Sequence, residues 1–187
     1  MKNKNVIVLF SGSFKVMHAG HIDLIQRYVD NPDVKEVKVF VSPSTRGIIT
    51  EAISHQVISQ LINNPKVSIE KVEDVSPIGA ACKFIESANP GNYALASSTK
   101  GNDYKRVKQL ISYYSNHDKP KGVQLIELSV DSSPLIYKGR NDEFDGKPIS
   151  ASILRQDIEN NDFNNFKSNY QNCSFETIRK IWSLIKD

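Results

Sequence analysis

Cysteine is scarce in this chain. Only Cys82 and Cys173 occur in 187 residues, too few for a disulfide framework or a zinc site, so both are expected to pack as small apolar side chains. No stretch approaches the roughly 20 apolar residues of a membrane-spanning helix. An excess of one charge is missing too. The 24 Lys and Arg against 21 Asp and Glu leave a net charge of +3, and the cations are scattered, which sets nucleic acid aside as a partner. The opening MKNKNVIVLF runs straight into a strand pattern with no cleavage-site signature, so a signal peptide is not expected and the chain reads as cytoplasmic. A G-x-G-x-x-G turn is absent after the first apolar run, which continues Ser11-Gly12-Ser13-Phe14-Lys15-Val16. That argues against a dinucleotide-dependent oxidoreductase. There is no internal repeat and no low-complexity segment.

What is present is an ordinary soluble composition, 39% hydrophobic and 24% charged, at a length that suits one α/β core. The chain reads as a single domain over 1–187, with 160–187 as a C-terminal helical extension. Strand and helix signals alternate. Apolar or alternating runs predict strands at Val6–Phe10, Val37–Val41, Val67–Glu70 (an edge), Tyr93–Ala96 and Val123–Leu128. Between them lie helical stripes starting at Ala19, after Thr50, after Ser76-Pro77 and around Tyr104–Ile111. Two further helices start at Ser150 and Ser174. This alternation predicts a doubly wound parallel sheet, whose ligands bind beyond the carboxyl ends of the strands. The polar stretch after Leu128, about twenty residues, is long for a compact domain and is a candidate substrate loop.

The chain is organised around Phe10–Arg27. His18-Ala19-Gly20-His21 falls at the turn from the first strand into the first helix. Free backbone N–H groups and the positive end of a helix dipole collect phosphate oxygens there. Imidazoles three residues apart lie on one side of a helix start and add directed donors. A second such start, Ile149–Arg155, offers serine hydroxyls and a guanidinium to a polyphosphate. A third segment, Ser97–Arg106, places small hydroxyls, a glycine and three cations after a strand.

Two of these segments resemble a known family. Residues 12–21, GSFKVMHAGH, resemble the G-[ST]-F-x-P-x-H-x-G-H signature of the nucleotidylyltransferase superfamily, the adenylyl- and cytidylyltransferases related to the nicotinamide mononucleotide and phosphopantetheine enzymes. Gly12, Ser13, Phe14, His18, Gly20 and His21 match, while Lys15 and Val16 depart. Residues 149–155, ISASILR, resemble the second signature, I-S-[SG]-[ST]-x-x-R, with only Ala151 unusual. The likeness spans roughly residues 5 to 160. A S-x-K-G-x-D-x-x-R stretch like that at 98–106 occurs in phage members, which implies a related branch.

The resemblance implies a Rossmann-like, five-stranded parallel sheet of order 3-2-1-4-5, with the ends of strands one and four flanking the site. It implies transfer of a nucleoside monophosphate from a nucleoside triphosphate, ATP favoured over CTP, to a phosphate-bearing small-molecule acceptor, with release of pyrophosphate. A non-catalytic nucleotide- or metabolite-binding module on the same fold is the alternative, and a homo-oligomer is left open. His18 and His21 would donate to the α- and β-phosphates. Ser150, Ser152 and Arg155 would hold the β- and γ-phosphates, and Lys15 and Lys100 would supply mobile positive charge. Ser11, Gly12, Ser13, Phe14, Gly20, Ala151 and Arg106 would complete the nucleotide-binding set, with Arg46, Ser97 and Asp103 toward the acceptor. Mg²⁺ would be bound chiefly through the nucleotide, with no metal ligands from the protein.

Overall fold

The computed structural model describes residues 5–73, 76–97, 102–117, 119–131, 134–140 and 142–187, without the side chains of 102, 103 and 142. Strands and helices alternate through β1 (Val6–Gly12), α1 (Ala19–Asp30), β2 (Val34–Val41), α2 (Glu51–Leu61) and β3 (Val67–Glu70). They continue through α3 (Pro77–Glu86), β4 (Gly91–Leu95), α4 (Asn102–Asn116) and β5 (Val123–Leu125). Three helices close the chain: α5 (Ala151–Glu159), α6 (Phe163–Ser168) and α7 (Phe175–Lys186). All strand pairs are parallel, and the order is β3-β2-β1-β4-β5. This is the α/β Rossmann-like topology expected above, with strand order reversing at β1.

The chain folds into two compact units. The first comprises Met1–Gly12, Leu24–Ser42 and Asn64–Ser132 and contains the sheet. Val6, Val8, Leu9 and Phe10 of β1 are all buried. Burial on both faces is what a continuous apolar run in a central parallel strand produces. All four residues of β3 are half-buried, as befits an edge. Leu9, Phe40, Ala81, Ile85, Leu95 and Val107 are among the residues that form one apolar cluster. Four strands differ in extent from their sequence pattern, and of these β4 covers Gly91–Leu95 rather than Tyr93–Ala96. Strand β1 runs two residues further, pairing Ser11 with Phe40 and Gly12 with Val41, and β2 starts three residues earlier. Strand β5 instead stops at Leu125 rather than Leu128. Beyond Ile126, whose N–H still donates to the Tyr93 carbonyl at 2.8 Å, the Leu128 carbonyl accepts from the Tyr28 hydroxyl at 3.0 Å. A side chain from α1 replaces the ladder there.

The second unit comprises Ser13–Asp23, Pro43–Asn63 and Ser133–Asp187. Its core gathers Val16, Ile49, Val57, Leu154, Phe166 and Ile181, among others. Side-chain caps start its helices as the sequence suggests: Thr50 Oγ1 accepts from Ile53 N–H, Ser150 Oγ from Ile153 N–H and Ser174 Oγ from Thr177 N–H. The polar stretch before α5 is not structureless. Tyr137 N–H donates to the Lys147 carbonyl and Ile149 N–H to the Leu135 carbonyl, at 2.9 and 2.7 Å. A single antiparallel bridge, Ile136 opposite Pro148, therefore precedes the α5 cap. No helix among the described residues is long and apolar enough to cross a membrane.

Candidate active site

Most of the residues singled out by sequence fall in the second unit. The turn between β1 and α1 is held from two distant points of the chain. Tyr170, 1% exposed, donates its hydroxyl to the Met17 carbonyl at 2.6 Å. The Arg155 guanidinium donates through Nη1 to the Lys15 carbonyl. The two motifs thus meet in a direct contact across 140 residues of sequence. They also meet at Gly20, where a Cβ would lie 3.8 Å from Ile149.

The two histidines stack. Their ring centroids are 3.7 Å apart at 29°, and Phe14 packs edge-on against His21 at 5.1 Å. The His18 carbonyl accepts from the N–H groups of His21 and Ile22, which starts α1. The His18 N–H in turn donates to His21 Nδ1 at 3.4 Å. An accepting Nδ1 puts the proton of a neutral His21 on Nε2, making that nitrogen the donor. A Cβ at Gly20 would come within 3.1 Å of the His18 ring, so the stack is closely fitted to glycine there. Phe14 holds φ +50°, a costly geometry for an aromatic residue, and is 3% exposed. Such outliers persist only where packing over-determines them, and they concentrate at functional sites.

Electrostatically the turn suits an anion. Burial lowers the His18 pKa to about 4, and it lowers His21 well below the ordinary range, with His18 as a further cause. Both are therefore neutral donors at pH 7, until an anion arrives to favour the charged form. Buried His18 Nδ1 and Ser13 Oγ have no hydrogen-bond partner among the described residues. Buried polar atoms are normally paired, so these two are exceptions within the turn. Lys15 has no exposed surface, which corrects the expectation of a mobile cation there. Its pKa is lowered by burial, raised in part by Glu51 and lowered further by Arg46. Arg155 is likewise lowered by burial and by Arg46, with Glu159 opposing. Lys15 and Arg155 therefore both feel the positive charge of Arg46. Exposed Arg46 stands on a tight reversal, Arg46–Ile49, closed by two backbone bonds of 3.1 Å, with Gly47 at φ +59°. On α5, the Ser150 and Ser152 hydroxyls lie 2.8 Å apart, and Ala151 begins the helix between them.

A pocket of about 100 Å³ borders both helix starts, touching Ala19 of α1 and Ile149 just before the α5 cap. Leu135 and Ile136 wall it, and Gln171 and Asn172 add amides. Both wall residues are unusually exposed for their type, at 36% and 46%.

In the first unit, Ser11 Oγ is buried with no partner among the described residues, and the Gly12 carbonyl accepts from Ser42 N–H at 3.1 Å. Ser97 is buried and internally engaged. Its hydroxyl lies 3.0 Å from that of Ser129, and its backbone N–H and carbonyl both bond the Tyr28 hydroxyl at 2.9 Å. Arg106 is exposed on α4. Lys100 and the side chain of Asp103 lie outside the described residues.

Sequence reasoning missed Tyr170 and the Tyr137–Asp157 pair. Tyr137 donates its hydroxyl to Asp157 Oδ1 at 3.1 Å. An aromatic inside a polar stretch and an acid on the apolar side of α5 were the available signals.

No protein-family model matches this sequence, and no curated protein matches it. Solved structures share its fold. A nicotinic acid mononucleotide adenylyltransferase from Plasmodium falciparum complexed with NaAD aligns over 98% of this chain and 100% of its own, at 15% identity and a TM-score of 0.56. The same enzyme complexed with APC aligns over the same shares at 14% and 0.50. A bifunctional NMN adenylyltransferase/ADP ribose pyrophosphatase from Francisella tularensis gives 18% and 0.57, and 98% of this chain spans 50% of that one. At such identities the likeness is one of fold. These neighbours belong to the superfamily that the two motifs resemble.

Proposed function

We propose that this chain is a nucleotidylyltransferase, moving a nucleoside monophosphate from ATP, in preference to CTP, to a phosphate-bearing small molecule. An acceptor phosphate oxygen forms a bond to the α-phosphorus, the bond to the β-phosphate bridge oxygen breaks in line, and pyrophosphate leaves. An ionised phosphate needs no base to attack, so positioning and charge stabilisation supply most of the rate. The observation that carries this reading is the Arg155–Lys15 contact, which joins two phosphate-type helix starts within one folded unit.

On this reading, neutral N–H donors from His18 and His21 meet the α- and β-phosphate oxygens, and their contacts strengthen as charge moves toward the leaving group. Ser150, Ser152 and Arg155 hold the β- and γ-phosphates, while buried Lys15 provides a fixed positive potential. Arg46 is suited to the acceptor's phosphate. The pocket beside Ala19 and Ile149 would seat the base, whose faces would cover Leu135 and Ile136. The ISASILR pattern, nearer the adenylyl- than the cytidylyltransferase form, supports ATP, and the NaAD and APC complexes of the fold neighbour support nucleotide ligands.

Mg²⁺ would arrive with the triphosphate. A cluster of cations and hydroxyls suits an ion already wrapped by phosphate oxygens and water, and no group of three or more His, Cys, Asp and Glu side chains able to hold a metal occurs among the described residues. When bound, the ion offsets charge on the triphosphate.

The test is pyrophosphate release from ATP and from CTP with Mg²⁺ and a panel of phosphorylated acceptors. Release that requires an acceptor supports transfer. Nucleotide binding without release from any combination would favour the binding-module reading.

A further inference from the structure

Outside the phosphate site, one buried acid is unexplained by packing. Asp157 is 3% exposed on α5, two residues after Arg155. Its Oδ1 accepts from the Tyr137 hydroxyl, while its Oδ2 is buried with no hydrogen-bond partner among the described residues. Tyr137 is itself 2% exposed and flanks the Ile136–Pro148 bridge that precedes the Ser150 cap. Gly139 closes over it so tightly that a Cβ would fall 1.9 Å from the hydroxyl oxygen. Phe144 packs edge-on against the same ring at 5.8 Å.

We propose that Asp157 is a proton-controlled positioning residue. Through Tyr137 it anchors the Ile136–Pro148 bridge on α5, and so fixes the backbone that delivers Ser150. The anchor holds most firmly when the carboxyl carries its proton.

The physical reason is desolvation. A neutral carboxyl can accept the tyrosine bond in a dry site at modest cost. A carboxylate there has one donor for two charged oxygens, and an uncompensated buried charge is expensive. The groups facing it make this worse. Tyr137 comes from beside the Ile136–Pro148 bridge, and the acidic Asp162 comes from the turn into α6. Among the described residues no cation pairs with Asp157, and α6's Lys167 lies instead over the Phe175 ring. Burial is the main cause that raises the Asp157 pKa from 3.8 to about 6, with Tyr137 opposing and Asp162 assisting. The group therefore binds its proton more tightly when the anchor is closed. As pH rises from about 4 to above 6, the carboxyl ionises, and letting water in becomes relatively easier. For this shift, opening should become roughly fiftyfold more frequent between pH 4 and pH 8.

Amide hydrogen exchange on the intact chain, corrected for intrinsic rates, tests this without nucleotide, so it can fail independently of the proposed reaction. The probes are the N–H groups of Tyr137 and Ile149, with the N–H of Val37, bonded to Lys66 at 2.8 Å, as an internal control. The expected result is a roughly fiftyfold rise in opening at Tyr137 and Ile149 from pH 4 to pH 8, absent at Val37 and absent throughout in Asp157→Asn. A flat wild-type profile, or an equal rise in Asp157→Asn, would overturn the proposal. Should Asp157→Asn not fold, carboxyl-carbon NMR of the wild type decides. A titration midpoint near 6 supports the anchor, and one near the ordinary 3.8 overturns it.

Discussion

Replacing Arg155 separates charge from geometry. Its guanidinium already donates to the Lys15 carbonyl and, on the proposed reading, grips the leaving pyrophosphate with its remaining donors. A hydrogen bond from a charged donor contributes about 1.5–3 kcal/mol, and about 1.4 kcal/mol is a factor of ten in rate. Arg155→Lys keeps the charge on a flexible stem but loses the paired fork. Its kcat should fall roughly 10- to 100-fold with a smaller change in KM. Arg155→Ala should lose both rate and nucleotide affinity. It also strips a donor from the carbonyl of a residue with no exposed surface, which costs about 1–3 kcal/mol. A fall in Tm of about 2–4 °C per kcal/mol should accompany it. The fold should survive in both variants, because Ile153, Leu154 and Ile158 on the buried side of α5 are untouched. Steady-state kinetics with thermal melts is the assay. Wild-type kinetics in Arg155→Ala would mean that ISASILR is a capped helix and nothing more.

Two further outcomes concern the histidines. His18→Ala and His21→Ala should each lower turnover by about 10²–10³, with far less effect on nucleotide binding, because their contacts strengthen in the transition state; near-normal turnover at saturating substrate would remove them from the mechanism. Because burial depresses His18 to about 4, the folded state stays deprotonated while the unfolded chain takes up a proton below about 6.5. Its support is complete above 6.5 and is lost as pH falls toward 4. NMR titration of the His18 ring should show a midpoint near 4 that rises when pyrophosphate is added, whereas an ordinary midpoint near 6.5 would refute the buried stack.

The turn carrying His18 and His21 was legible because strand, glycine, histidines and helix are neighbours in sequence, where period and capping rules act. Parallel order followed from the strand–helix alternation together with the resemblance. The Thr50, Ser76, Ser150 and Ser174 caps were readable for the same local reason. Contacts between distant residues were not. Tyr170 reaches Met17 across 153 positions, and Tyr28 takes the Leu128 carbonyl that β5 would otherwise have used, across 100. Nothing local distinguishes a tyrosine that clamps a backbone from one that packs. Lys15 was misread as mobile, because lysine is seldom buried. Its burial follows from neighbours Phe14, Val16 and Met17, which are all drawn into the interior. The Ile136–Pro148 bridge inside the polar stretch before α5 was not legible, because one bridge is too short to show a period.

The most direct test of the central claim is phosphorus NMR of ATP, Mg²⁺, protein and an active acceptor followed over time. Nucleotidyl transfer requires the α-phosphorus to move into a new phosphate–phosphate bond while the β- and γ-phosphorus resonances become pyrophosphate in equal amount. Conversion of ATP to ADP and inorganic phosphate, with the α-phosphorus still bonded to the β, would contradict it.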